Sequence, residues 1–356
     1  MKIEPVVSII VPVYNAAAHL ERCVESLVQQ NLENLEILMV DDGSNDGSAE
    51  ICDYYSQRDS RVRAIHGPNF GPSHARNIGV RGSRGEFIQF VDADDFVDTG
   101  MSALLLGAQR SQNADLVIAG FEVIDDTTGS RAGYHLDEMR VLDRAQFLNC
   151  FHELRNAHLI NSCWNKLYRA SLIYSKGIEF CEELDFAEDA LFNFSYMARS
   201  RSTIVLTETP YRYIRYATDD SLSRRYRPNM YEIARLEMEA MTELFVGSEL
   251  GLLDIERGHA LNLVTQVVPH FARMMVPFSY PTYLKVVAEI RKDEYYLRYC
   301  RDLRCVGVRE RILLALFHSR RFELIWLIES LSRSASAIQV RFTRLIHQRA
   351  SLARRR

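Results

Sequence analysis

The feature that most limits what this chain can fold into is the alternation, over its first 125 residues, of short apolar runs with stretches of helical periodicity. Val6 to Val13, Leu35 to Val40, Val62 to His66, Phe87 to Val91 and Leu116 to Ile124 read as near-continuous buried strands. Such runs suit a parallel sheet covered on both faces. Between them Leu20, Cys23, Val24, Leu27 and Val28 recur at helical spacing, as do Ile51, Tyr54 and Tyr55 after Gly47-Ser48. Ser73 opens a third short helix through Ile78. The alternation predicts an α/β, doubly wound fold. Residues 126–160 decorate that sheet, with a turn at Asp125 to Ser130 and a helix over 144–154. A helix over 188–198 and short strands at Thr203 to Leu206 and Tyr211 to Ile214 follow. After Pro228 the pattern is almost wholly helical, over 229–247, 257–274, 281–293 and 307–331. The expected division is an α/β domain over 1–226 and an α-helical module with a basic tail over 227–356.

Composition narrows the class. With 47% hydrophobic and 25% charged residues, disorder and fibrous repeats are excluded. The seven cysteines are an odd number without a CxxC pair, which predicts neither a disulfide framework nor a zinc ribbon and suits a reducing cytoplasm. The first apolar run, Val6 to Val13, is broken by Ser8 and Pro12 and is too short for a signal peptide or a membrane span.

In open α/β sheets ligands gather beyond the carboxyl ends of the strands. Pro12, Tyr14 and Asn15 follow the first run, Asp41-Asp42-Gly43-Ser44 the second, and Asp92-Ala93-Asp94-Asp95 the fourth. An aromatic ring can stack a base, one carboxylate can hold base or ribose donors, and a close carboxylate pair can hold a divalent cation. Carboxylates reach a diphosphate only through a metal, and Mg²⁺ or Mn²⁺ is the usual bridge. Asp41 to Gly47 also fits an ordinary turn. Asp42, Ser44, Asp46, Gly47 and Asp53 fall on calcium-loop positions, but the run before them is not an amphipathic helix. Asp92-Ala93-Asp94 has the spacing of a phosphatase nucleophile of the haloacid dehalogenase type, but Phe96 stands where that pattern has Thr or Val.

Val7 to Asn15, Val40 to Gly47, Ala75-Arg76-Asn77-Ile78-Gly79 and Phe90 to Asp95 resemble, in order and spacing, the family 2 glycosyltransferases of the GT-A fold. The likeness continues more loosely through Cys163-Trp164-Asn165-Lys166-Leu167-Tyr168 and Glu188-Asp189-Ala190-Leu191-Phe192 to Tyr211-Arg212-Tyr213. It implies a mostly parallel GT-A sheet flanked by helices, and transfer of a sugar from a UDP-sugar. It places the uracil near Pro12, Tyr14 and Asp42, Arg76 near the nucleotide or its phosphates, and Asp92 at the ribose. Asp94 would contact the metal together with Asp92, Asp95 the sugar, and Asp189, in the Glu188-Asp189 pair, would be the catalytic base. Inverting transfer needs such a base to take the acceptor hydroxyl's proton while a cation balances charge on the leaving diphosphate. Two acids also suit a helix N-terminus without any catalysis. Trp164 is a stacking platform for a sugar or a buried core residue, and Lys166 meets a phosphate or snorkels. His66 and His74 lack metal-ligand spacing with each other and read as structural.

The chain lacks the Gln-x-x-Arg-Trp motif and the membrane spans of the family's processive synthases, which implies one sugar per acceptor encounter. Phe70-Gly71-Pro72-Ser73-His74 departs from the usual small-residue loop.

The net charge of −4 conceals an asymmetry: residues 301–356 hold 13 Arg, no Lys and 4 acidic residues, a net +9, so the first 300 carry −13. Arg341, Arg344, Arg349 and Arg354 to Arg356, interleaved with Val340, Phe342, Leu345, Ile346 and Leu352, form either an amphipathic basic helix on an anionic membrane or a frayed terminus. An acidic body excludes nucleic acid as the partner. The expected acceptor is a glycan or an undecaprenyl-linked oligosaccharide of a surface polysaccharide (O-antigen, capsule, exopolysaccharide or lipopolysaccharide), met by a peripheral enzyme on the cytoplasmic membrane's inner face. The rival readings are a sugar nucleotidyltransferase, whose Gly-rich basic loop after the first strand is missing, and a non-catalytic assembly subunit that binds nucleotide-sugar.

Overall fold

A computed structural model describes residues 4–216, 227–248, 252–272, 280–301, 303 and 307–329. They fall into two compact units, one within Met1–Arg224 and Ala240–Gly251, the other within Arg225–Glu239 and Leu252–Arg356.

The first unit begins as the sequence predicts, with β1 (Val7–Val13), α1 (Ala17–Val28), β2 (Leu35–Asp42), α2 (Ser48–Arg58), β3 (Val62–Gly67), α3 (Pro72–Gly82) and β4 (Phe87–Phe90). β1 pairs in parallel with β2 and β4, and β2 with β3. Every residue of β2 is buried and β1 is buried but for Pro12, which is why their side chains do not alternate in polarity. β5 (Phe96–Val97), α4 (Met101–Gln112), β6 (Leu116–Ile118), β7 (Phe121–Asp125), β8 (Arg131–Tyr134), β9 (Arg140–Asp143) and α5 (Arg144–Asn156) come next. They are followed by β10 (Lys166–Arg169), α6 (Ala170–Lys176), α7 (Glu188–Arg199), β11 (Ser202–Val205) and β12 (Tyr211–Arg215). An eight-stranded sheet has the order β3-β2-β1-β4-β10-β6-β11-β9, and a four-stranded sheet the order β5-β12-β7-β8.

The single strand expected over Leu116 to Ile124 is in fact two. β6 stays in the large sheet while β7 joins the small one, the chain turning at Ala119-Gly120. A Cβ at Gly120 would lie 2.7 Å from the Tyr134 carbonyl oxygen and 2.8 Å from His135 Cβ, so glycine alone fits where the run changes sheets. β10 runs antiparallel to both β4 and β6, which makes the large sheet mixed. Gly79 serves α3 in a similar way: a Cβ there would run into the Ile10 side chain, and its absence lets α3 lie close on β1. That approach sets the depth of Arg76, one turn earlier on the same helix.

In the second unit, α8 (Met230–Phe245) begins and α9 (Leu252–Asn262), α10 (Val268–Ala272), α11 (Tyr280–Ile290), α12 (Glu294–Tyr299) and α13 (Val308–His318) follow. Their core gathers Leu263, Val267, Phe271, Tyr283, Val287, Leu313 and Phe317. The stretch expected as one helix over 257–274 is interrupted by a π-helical turn at Leu263–Val267, just ahead of Pro269. Proline has no N–H and its ring crowds the carbonyl four residues back, so the ladder widens there. The helix expected over 307–331 breaks at residues 319–321, where Arg320 has φ +60°, and resumes at 322–329. The basic tail lies outside the described residues. Among the described residues no helix is long and apolar enough to cross a membrane.

Candidate functional site

The strand ends are built as polar turns locked by their own side chains. Asn15, at φ +47°, accepts from the Asn45 N–H through Oδ1 (2.9 Å), and its own N–H donates to Ser44 Oγ (3.0 Å). Asparagine tolerates this left-handed backbone. Asp46 accepts from the Ala17 N–H (3.0 Å) and from both the N–H and hydroxyl of Ser48 (3.1 and 2.6 Å), tying α1 to the start of α2. The segment is a bracing turn preceded by a strand, not a calcium loop. Asp42 is buried and accepts from the N–H groups of Phe70 (2.9 Å) and Gly71 (2.7 Å), so it anchors the loop after β3. Gly43, at φ +73°, completes the approach, since a Cβ there would sit 2.8 Å from the Asn69 nitrogen. Tyr14 stands exposed at the end of β1, with Pro12 half-buried below it. His66 bridges Asp41 (3.2 Å) and Asp53 (3.1 Å); the Asp41 hydrogen bond leads in holding its pKa above the ordinary histidine value. His74 pairs with Glu182 at 2.9 Å.

Arg76 is the centre of the constellation. Buried on α3, its Nη2 donates to Asp92 Oδ1 at 3.1 Å, while Nη1 donates to Glu188 Oε1 at 3.0 Å and lies 3.2 Å from Asp189 Oδ1. Burial opposes the guanidinium charge, but Asp189, with Asp92 and Glu188, holds it firmly protonated. The two acids occupy the first turn of α7, whose N-cap, Ala187, adopts the left-handed conformation at φ +64°. For a residue with a Cβ this costs about 1 kcal/mol, and it turns the chain so that both acids meet Arg76. Asp189 Oδ1 is buried, and Oδ2 accepts from the Cys163 N–H at 3.3 Å, which places the exposed part of the side chain on the Oδ2 side.

The Asp92–Asp95 turn is gripped from two directions. From α1, Arg22 Nη2 donates to the Asp94 carbonyl (2.9 Å), which the Tyr216 hydroxyl also reaches (2.8 Å). From β12, the Ile214 N–H and the Tyr211 hydroxyl donate to the two oxygens of Asp95 at 2.8 and 2.7 Å. Asp95 is therefore wholly buried and anchors the turn; the expectation that it touches a sugar is corrected. Burial drives the Asp95 pKa far up, with Asp94 and Asp92 adding to it. Burial likewise raises Glu188 and, to about 6, Asp92, the last against the pull of Arg76.

Among the described residues Asp92, Glu188 and Asp189 share one guanidinium, and the exposed Asp94 carboxylate accepts no hydrogen bond from another of them. Among the described residues no three acids, cysteines or histidines converge as a metal cage. Mg²⁺ and Mn²⁺ ask less of a protein where phosphates and water complete the shell, and Asp94 beside Asp92 fits that need.

Two further expectations are corrected. Trp164 is no open platform: it is buried, stacked on Tyr211 (ring centroids 4.2 Å) and edge-on to Phe121 (4.7 Å). Lys166 is wholly buried and its ammonium meets backbone carbonyls, so it cannot reach a phosphate; burial lowers its pKa to about 7. Arg22, Tyr216 and the Cys163 amide are the additions that linear reading missed, because Arg22 is 72 and Tyr216 122 residues from Asp94. No local pattern marks such a pair.

Residues 8–175 match the family model described as glycosyl transferase family 2. The chain is 35% identical over 236 residues to the uncharacterized glycosyltransferase EpsJ of Bacillus subtilis (strain 168), covering 66% of this chain and 68% of that protein. It is 26% identical over 294 residues to the minor teichoic acid biosynthesis protein GgaA of the same organism, covering 80% of this chain and 62% of that protein. Among solved structures, S. aureus TarS 1-349 in complex with UDP superposes with a TM-score of 0.65 at 19% identity, over 92% of this chain and 91% of that one. At that identity the likeness is one of fold, a GT-A fold. With the strand-end acids and Arg76 placed as described, and a relative alike over two thirds of both chains, the chain belongs to glycosyltransferase family 2.

Proposed function

We propose that the chain is a metal-dependent, inverting glycosyltransferase that moves one sugar from a UDP-sugar to a hydroxyl of a glycan or undecaprenyl-linked acceptor in the making of a surface polysaccharide. The observation that carries the reading is the single Arg76 guanidinium tying Asp92, on the donor side, to Glu188 and Asp189 on α7. In this reading Pro12, Tyr14 and Asp42 hold the uracil and Asp92 the ribose. Asp189 takes the proton of the acceptor hydroxyl as its oxygen bonds to the anomeric carbon from the face opposite the nucleotide. The bond from that carbon to the diphosphate breaks, and UDP leaves with its electron pair. A divalent cation held by Asp94 with Asp92 supplies, when bound, positive charge for the leaving diphosphate. Arg76 keeps Asp189 and Asp92 at a fixed separation, so that the attacking hydroxyl and the donor meet in line.

The UDP-sugar donor is supported by TarS, solved with UDP and with UDP-GlcNAc. The polymer class is supported by the teichoic acid protein GgaA. A screen of UDP-sugars should find one from which the chain releases UDP, with release lost on chelation and restored by Mg²⁺ or Mn²⁺. Asp94→Asn should cost the metal-dependent part of UDP binding about tenfold, as loss of a charged ligand does. Full turnover in the presence of chelator would overturn the metal assignment. The inner membrane face is proposed as the place of action through the basic tail. Removal of residues 335–356 should abolish flotation with anionic liposomes, and unchanged flotation would end the membrane part of the reading.

A further inference from the structure

The segment between α5 and β10 carries a buried polar network that touches the site at one point. Lys166 Nζ donates to the carbonyl oxygens of Leu159 (2.7 Å) and Ser162 (2.5 Å) and to Asn165 Oδ1 (2.7 Å), which uses all three N–H bonds of an ammonium. Asn165, equally buried, donates through Nδ2 to the carbonyls of Ala119 (2.7 Å) and Leu159 (3.3 Å). The Tyr168 hydroxyl lies 3.2 Å from the Cys163 carbonyl oxygen and 2.6 Å from Asn193 Oδ1, and Asn193 Nδ2 donates to the Asn161 carbonyl (2.7 Å). The carbonyls of Leu159, Asn161 and Ser162 are thus held by buried side chains. The geometry of one of them matters most. A trans peptide is planar, with its C=O and N–H pointing in opposite directions. The ammonium that captures the Ser162 carbonyl therefore aims the N–H of the same peptide unit, that of Cys163, the other way, and Asp189 Oδ2 lies 3.3 Å along it.

We propose that Lys166 is a positioning residue for Asp189, acting through the Ser162–Cys163 peptide, whose N–H it orients and polarises toward the carboxylate. The inference rests on Asp189 being the base. Burying a charge costs several kcal/mol unless its partners are complete, and an apolar side chain would fill the space without that cost. In its charged form, which prevails below about pH 7, the amine does what an apolar residue cannot: it places positive charge on the carbonyl side of a peptide and so strengthens the donor on its other side.

The test compares Lys166→Met with the parent in kcat, donor KM, UDP affinity by calorimetry and the pH profile of kcat. At saturating donor and acceptor, kcat should fall about 10–100-fold, the effect of a misplaced catalytic group. Donor KM and UDP affinity should stay within about twofold, because the donor pocket is untouched. The acid limb of the profile should move to higher pH, since a carboxylate losing an N–H donor holds its proton more tightly. Lys166→Gln, which keeps an N–H donor but no charge, should shift the same quantities the same way, by less; it decides the matter if Lys166→Met does not fold. Unchanged kcat and acid limb in a folded variant, or a loss of UDP affinity as large as the loss of rate, would overturn the proposal. Asp189→Asn separates the two levels: if it retains transfer, the base assignment falls; if it is inactive while Lys166→Met is normal, only the positioning role falls.

Discussion

Asp189→Asn lowers the rate of sugar transfer by about 10³-fold, the middle of the range for a lost general base, while UDP still binds. The substitution preserves shape and removes the negative charge, and with it the ability to accept a proton, while Asp92 and Glu188 still pair with Arg76. Asp189 sits on α7, held by Arg76 at 3.2 Å and by the Cys163 amide at 3.3 Å, whereas the proposed uracil residues Tyr14 and Asp42 sit at the ends of β1 and β2. Chemistry and nucleotide binding are thus served by different elements, and a change confined to one should leave the other intact. Stopped-assay UDP release with acceptor present, beside calorimetric UDP titration, reads the two separately. Transfer at the parent rate, or UDP affinity lost in proportion to rate, would remove Asp189 from the role of base.

Arg76→Met damages both halves of the site and the fold beneath it. Without the guanidinium, Asp92, Glu188 and Asp189 face each other with no counter-charge, and removing one partner of a buried ionic cluster costs about 3–5 kcal/mol. The sign of the pH dependence follows from the carboxyls. Asp92 already titrates at about 6, above its ordinary value of 3.8, chiefly through burial, and losing Arg76 raises it further. A raised carboxyl binds more protons folded than unfolded, so stability falls as pH climbs through the window between the two values and the penalty is absent below the lower one. Urea unfolding should therefore show the variant far weaker than the parent at pH 7.5 and much closer to it near pH 4. A uniform deficit at both pH values would mean that packing, not charge, is what Arg76 contributes.

The elements legible from the sequence were those whose burial leaves a one-dimensional trace. β1, β2 and β4 are buried strands and α1 an amphipathic stripe, and their apolar runs show it. The Leu116 to Ile124 run misled because its hydrophobicity continues through the point where the chain changes sheets. β8 escaped because its residues are largely exposed and leave no apolar pattern. In the site, the residue types at the strand ends announced a polar rim, but not which carboxylates would be spent on structure. Asp95 and Asp94 are neighbours in sequence, one sealed against Tyr211 and Ile214 and the other open. Lys166 is hidden for the same reason: a lysine whose acceptors are two backbone carbonyls and the neighbouring Asn165 side chain looks, in sequence, like any other lysine. Arg76 and Glu188, the first acid of α7, are 112 residues apart, and only the fold makes them neighbours.

The partition of the strands into two sheets sets how the acidic turn can move. β5 follows Asp95 directly, β12 supplies the Asp95 clamps and leads to Tyr216, and β12 pairs with β5 and β7 in the small sheet. Proteins open in cooperative pieces whose free energies differ, and a four-stranded sheet with a two-residue strand opens more readily than the eight-stranded sheet beside it. The proposed metal carboxylate is thus tethered to the smaller sheet, while Arg76, on a helix that lies close on β1 through Gly79, is tethered to the larger. Opening of the small sheet would slacken one jaw of the site while the other stays set.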